Sequence, residues 1–191
     1  MPLVHHDAPG ARRALTEAAY AALLPPGAPW VFLCIGSDRS TGDSFGPLVG
    51  RALRARGLEA PLFGTLEETV HAVNLEATLD EIRRRHPGAR LFAVDASLGE
   101  ARDVGALKIA HGPIHPGRGV NKALTPVGDA HLVGIVGVAG WMPFWVLQNT
   151  RLSLVWRMAE IAAQALYAGW LKASLPRPHD VRRPVRDAAL G

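Results

Sequence analysis

The chain reads as an α/β protein built on a mostly parallel sheet covered on both faces. Two observations predict this. Runs of wholly or mainly apolar residues, WVFLCI at 30–35, LFAV at 91–94 and LVGIVGV at 132–138, are bounded by turn formers or polar residues, as in strands buried on both sides. Between them lie segments with helix-like spacing, and that alternation is the pattern of a layered α/β domain. A length of 191 residues with 48% hydrophobic and 20% charged residues suits one globular domain. The expected organisation is an N-terminal arm and helix over 1–28, a single domain over 29–171 and a basic, Pro-rich tail over 172–191.

Residues 1–10 carry no periodic pattern and are expected to form a loose arm. Residues 11–24 are Ala-rich and favour a helix, which Pro25, Pro26, Gly27 and Pro29 end. The strand over 30–35 is followed by Gly36 and a polar loop. A helix is expected over 45–56, with Pro47 in its first turn and Gly57 after its last. Residues 61–66 form a short strand. A further helix follows Asn74 as N-cap, with Leu75, Leu79 and Ile82 as its apolar stripe. Asp80–Arg84 and Glu81–Arg85 are spaced to support it, and Pro87-Gly88 stops it. The strand over 91–94 ends at Asp95. Residues 106–110 make a weaker strand, 111–128 a loop rich in Gly and Pro, and 132–138 another buried strand. The last helix is expected over 149–167.

Composition excludes several function classes. The single cysteine, Cys34, rules out an intrachain disulfide and fits a reducing, cytoplasmic compartment. The N-terminus shows no signal-peptide pattern. The longest mainly apolar stretch, 132–147, is short and interrupted by glycines and Pro143, so no membrane span is expected. The net charge is +4, and five basic residues against two acids lie from Lys172 onward. The charge therefore concentrates in a tail and not on a folded face, so no nucleic-acid partner is expected.

In open α/β sheets the site lies beyond the carboxyl ends of the strands. Two acids fall there. Asp43 sits in Gly36-Ser37-Asp38-Arg39-Ser40-Thr41-Gly42-Asp43-Ser44, which joins a strand to a helix. Asp95 follows the strand LFAV. Taken singly, Asp43 is explained as a helix N-cap and Asp95 as a turn starter. Together, in segments dense in polar groups, they form a candidate catalytic pair. Two close carboxylates do not easily both ionise, so one holds a proton while the other acts as base toward water. A pair of carboxylates also suits a metal site. Asp38 and His71 are secondary candidates at the mouth.

Other motifs fall away. The first loop lacks the Gly-Lys-Ser/Thr of a P-loop, and Gly117-Arg118-Gly119-Val120-Asn121-Lys122 has Lys122 where a dinucleotide fingerprint needs Gly or Ala. Its glycines and Lys122 remain candidates for binding an anion or a substrate carbonyl. His111 and His115 have Gly112 and Pro113 between them, so they are not a helical zinc pair. His5 and His6 lie in the expected arm. Cys34 reads as a buried apolar thiol, and Ser40 and Ser44 lack a nucleophile elbow. Trp141, Phe144 and Trp145 either cover the sheet or line a peptide-binding rim, and packing is the preferred reading.

The segments CIGSDRSTGDSFGP, FGTLEETVHAVNL, VDASLG, PGRGVNKALTPVGD and VLQNTRL, in that order, resemble the sporulation protein YyaC family. That family is similar to the germination protease of bacterial spores and, more distantly, to hydrogenase maturation proteases. The resemblance covers about 31–166. It implies a three-layer α/β/α sandwich of the phosphorylase/hydrolase-like kind and an endopeptidase-like hydrolase acting in the forespore or spore core. The germination protease pattern Asp-x-x-Gly-Pro falls on Asp43, Gly46 and Pro47, and its Asp-Ala falls on Asp95 and Ala96. Its Pro-Gly-x-Gly-Val loop with Asn-Lys falls on 116–122, which makes Asn121 and Lys122 candidates for substrate binding. The nickel-sensing histidine of the maturation proteases has no evident counterpart. No metal or cofactor is therefore expected. The expected partner is a peptide or small spore protein, with a homo-oligomer possible in principle. Alternatives are a non-catalytic peptide- or regulator-binding protein on the same scaffold and a metal-dependent hydrolase.

Overall fold

A computed structural model of the chain describes residues 3–116 and 125–175. Its elements are β1 (Val4–His5), α1 (Ala11–Ala22), β2 (Trp30–Cys34), α2 (Phe45–Ala55), β3 (Leu62–Phe63), α3 (Leu75–Arg85), β4 (Arg90–Gly99), β5 (Ala106–His111), β6 (Ala130–Val138), α4 (Pro143–Gln148) and α5 (Leu152–Ser174). Six strands form one sheet in the order β1-β5-β6-β4-β2-β3. β5 pairs antiparallel with both its neighbours, and the pairs β6–β4, β4–β2 and β2–β3 are parallel. The sheet is thus mixed but mostly parallel, as expected.

The three layers follow from alternation along the strands. In β2, Phe32 and Cys34 face the cluster that holds Leu15, Val49, Leu53, Met158 and Leu166 from α1, α2 and α5. Val31, Leu33 and the following Ile35 face the opposite side, against Leu75, Leu79 and Ile82 of α3. A strand covered on both faces is apolar at every position, which explains the unbroken run of WVFLC. An ion pair of 2.7 Å between Arg56 and Glu160 ties α2 to α5. On α3 the Glu81–Arg85 pair forms at 2.8 Å, whereas Asp80 turns to Arg83, one position nearer than expected.

Several expectations need correction. The arm is not loose: β1 adds an edge strand to β5, with Val4 opposite Leu107 and His5 opposite Ala106. β4 does not end at Asp95 but runs to Gly99, paired with β6 from Phe92 onward with one register shift between Ser97 and Leu98. The apolar run stops early because β2 leaves the sheet at Cys34 opposite Val94, so the second half of β4 has a strand on one side only. α4 occupies the segment of Phe144 and Trp145, where no separate helix was expected. α5 extends to Ser174, past the expected end, and Lys172 meets Glu17 of α1 at 2.6 Å. None of the helices in the described residues is long and apolar enough to cross a membrane.

Candidate functional site: a crevice with two aspartates

β2 and β4 end at different heights, and the site lies in that step. After Cys34 the chain turns sharply at Gly36, whose φ of 143° lies in the left-handed region. A β-carbon on Gly36 would stand 2.0 Å from the backbone oxygen of Asp43. The loop therefore folds back onto its own start. Gly46, in the first turn of α2, sits as close to the other side, where a β-carbon would lie 2.0 Å from the Ile35 oxygen. These two contacts explain the spacing Gly36…Asp43…Gly46: they clamp the loop and present the Asp43 side chain above the strand ends.

Asp43 is not the N-cap of α2. Ser44 holds that position, with no side-chain capping bond. The Ser37 backbone N–H donates to the Asp43 backbone carbonyl at 3.3 Å, a bond that closes the loop and sets this N–H beside the part-buried carboxylate. Burial raises the carboxyl's pKa, partly offset by that N–H and by the nearby His71. Asp95 shares the sheet face of Ala93, the face packed on α3, because side chains alternate along β4. Only 9% of it is exposed. Burial and the charge of Asp43 raise its pKa well above the usual carboxylate range, against one hydrogen bond of 2.8 Å from the Ala96 N–H.

Both carboxylates line one open crevice of about 760 Å³ with Ser97, Ile114, His115, His131, Val133, Trp141, Met142 and Leu147. They also line a smaller adjoining cavity of about 110 Å³ with Ser40, His71, Pro116 and Phe144. His71 is thus brought to the pair. Asn74 positions it: the Asn74 side chain accepts from the His71 N–H at 2.8 Å and donates to the Thr69 carbonyl at 3.0 Å, so it braces this turn and makes no cap for α3. The Val73 N–H donates to Nδ1 of His71 at 3.3 Å, which leaves the neutral ring's proton on Nε2. The buried Ser40 hydroxyl finds no hydrogen-bond partner among the described residues, an unusual state for a group that lines a cavity. Asp38 is exposed on the turn of the first loop and lines neither cavity. Asn121 and Lys122 lie outside the described residues.

Two histidines were missed. His131 pairs with Ala93 in register and so shares its face, and its Nδ1 donates to the Gly112 carbonyl at 2.8 Å. The inward phase of β6 was the signal for it. His115 follows β5 in the loop that closes the crevice. The aromatic cluster is exposed rather than packed: Trp141 is 96% exposed, and Phe144 and Trp145 are more than half exposed. Met142 holds a left-handed φ of 62° at the start of α4, which turns Trp141 outward at the crevice lip. Cys34 is fully buried, and burial raises its pKa, so it supplies no thiolate. Three-ligand clusters with donor atoms within 4.8 Å are confined, among the described residues, to His5, His6 and Asp7, outside the crevice.

The model of a family described as a protein of unknown function (DUF1256) matches residues 3–165. The chain belongs to the DUF1256 family. It is also 46% identical over 163 residues to the uncharacterized protein YyaC of Bacillus subtilis, across 85% of this chain and 80% of that protein. This DUF1256 fold is similar to the [NiFe] hydrogenase maturation protease HycI of Thermococcus kodakarensis KOD1, with a TM-score of 0.56 over 80% of this chain and 97% of that one. The 18% identity makes this a likeness of fold. The two chains therefore share an α/β fold, in agreement with the expected fold class.

Proposed function

We propose that the protein is an endopeptidase-like hydrolase in which Asp43 and Asp95 share one proton and activate water against a peptide carbonyl. The observation that carries this reading is the pairing itself: two carboxylates of unequal burial line one crevice, and the charge of Asp43 opposes ionisation of Asp95. The deeper Asp95 holds the proton. Asp43, less buried and near the Ser37 N–H and His71, is the base. The roles belong to the pair as a coupled unit. The unpartnered Ser40 hydroxyl is a donor available to the developing oxyanion, together with Asn121 or Lys122.

The open crevice and its aromatic lip suit an extended peptide with an apolar side chain at Trp141 and Met142. The resemblance to the germination protease makes a small spore protein the first substrate to try, and the forespore or spore core the place of action. A direct test is cleavage of small spore proteins by the wild type, Asp43→Asn and Asp95→Asn. Each substitution is expected to lower cleavage by at least about 100-fold. Undiminished cleavage by both would end the two-aspartate mechanism.

The same exposed aromatic lip supports a second reading, a peptide-binding protein without catalysis. It is distinguished by equal peptide binding, with no cleavage, in all three proteins. A metal-dependent hydrolase gains less support, since among the described residues the crevice gathers no three ligand atoms within 4.8 Å of one another.

A further inference from the structure

His5, His6 and Asp7 lie where β1 ends, at the same end of the sheet as the crevice but at its far edge. β5 and β6 separate them from β4, so they belong to no part of the site described above. Their ligand atoms all lie within 4.8 Å of one another. Two nitrogens bound to one tetrahedral zinc ion stand roughly 3.3 Å apart, so small side-chain rotations would close the set.

The hydrogen bonds around the two rings follow the arrangement of metal-bound imidazoles. Nε2 of His5 donates to the Val104 carbonyl at 2.9 Å, and Nδ1 of His6 donates to the Gly105 carbonyl at 3.0 Å. Nδ1 of His6 spends its proton on a backbone oxygen, which leaves a lone pair on Nε2. Nδ1 of His5 shares a proton with the Asp7 carboxylate, and a metal ion bound between the two would displace that proton. Metal-binding histidines are usually oriented by such a bond from the other ring nitrogen. Asp7 is folded back by the turn in which the Ala8 N–H donates to the His5 carbonyl at 3.1 Å, and its carboxylate meets Nδ1 of His5. Gly105 leaves the space for both rings: a β-carbon there would stand 2.5 Å from Nε2 of His5 and 3.0 Å from Nδ1 of His6. The ring centroids are 4.8 Å apart.

We propose that His5, His6 and Asp7 form a binding site for a divalent transition-metal ion that pins the edge strand β1 to the start of β5. Two imidazoles and one carboxylate favour zinc, nickel or copper over magnesium or calcium, which prefer oxygen donors. Asp7 is exposed and the rings are only partly covered, so the remaining coordination positions are open to water or to a donor from another molecule.

The test uses the full chain, stripped with chelator and titrated with Zn²⁺ by calorimetry at neutral pH, with thermal unfolding followed in parallel. The expected result is a single equivalent bound more tightly than about 100 μM, with a rise in the unfolding midpoint. His6→Gln, which leaves the β1 pairing intact, and Asp7→Asn are each expected to weaken that binding by about 10-fold or more. His115→Gln with His131→Gln, which removes the crevice histidines, is expected to leave it unchanged. Absence of binding at that level overturns the proposal. So does binding that survives in His6→Gln and Asp7→Asn, or that is lost with the crevice histidines.

Discussion

Replacing Asp95 by Asn should make the protein more stable at neutral pH and should leave it nearly unchanged in acid. In the unfolded chain this carboxyl titrates near about 3.9. In the fold its pKa is raised, first by burial and then by the charge of Asp43. Between those two values the native state binds more protons than the unfolded state, so stability falls as pH rises. Below the unfolded value both states are protonated and the loss disappears. Above the folded value the loss is complete and constant. One proton fixes the steepest slope at about 1.4 kcal/mol per pH unit. Each unit of that window is therefore an appreciable part of the roughly 5–15 kcal/mol of an ordinary domain. Asn keeps the shape and a carbonyl oxygen for the Ala96 N–H, which donates at 2.8 Å, and it cannot ionise. The gain of Asp95→Asn over the wild type should therefore open above about pH 4 and grow toward neutrality. Asp43→Asn removes the second cause of the shift and should narrow the window from its upper end. Urea unfolding of the three proteins at several pH values between 4 and 8 measures this directly. Parallel stability curves for wild type and Asp95→Asn, or an Asn variant weaker at every pH, would refute the argument.

Two further outcomes follow from the geometry. Gly46→Ala places a methyl group 2.0 Å from the Ile35 carbonyl oxygen, a backbone atom that cannot swing aside. It should cost at least about 2 kcal/mol in urea unfolding. Trp141→Ala should leave stability within about 0.5 kcal/mol, because the ring is 96% exposed. It should weaken peptide binding at the crevice by roughly 10-fold, as measured by titration of a fluorescent apolar peptide.

The parts of the fold that were legible in the sequence are those where burial imposes a repeating pattern. β2 and α3 announce themselves because every position of the one, and every third or fourth of the other, must be apolar. The loop from Gly36 to Gly46 was legible for another reason: it follows a buried strand and is dense in polar groups, and its two glycines, where a β-carbon would stand 2.0 Å from a backbone oxygen, bracket Asp43. What escaped reading depends on partners distant in sequence. β1 is two residues long and gains its identity from β5, about a hundred residues on. The second half of β4, ASLG, lacks an apolar run because one of its flanks opens on the crevice. His131 was overlooked because the expected strand began at Leu132, whereas β6 starts at Ala130, and His115 lies in a loop without periodicity. Trp141, Phe144 and Trp145 were read first as packing because aromatic residues usually pack, and nothing local shows that this segment stands clear of the sheet.

The step between β2 and β4 connects the fold to the chemistry. If β2 ran as far as β4, its next residues would pair beyond Val94 and cover the flank of Asp95. It leaves the sheet at Cys34 instead, and the loop that replaces it brings a second carboxylate to the gap. The same departure requires the tight turn at Gly36 and the close approach at Gly46. β6, on the other flank, continues with β4 to Val138 and holds the deeper acid rigidly from one side. One carboxylate thus rests on a paired strand and the other on a clamped loop with a water-accessible face. That asymmetry separates their burial, and in the proposed mechanism unequal burial is what gives the proton to Asp95 and leaves Asp43 to act on water.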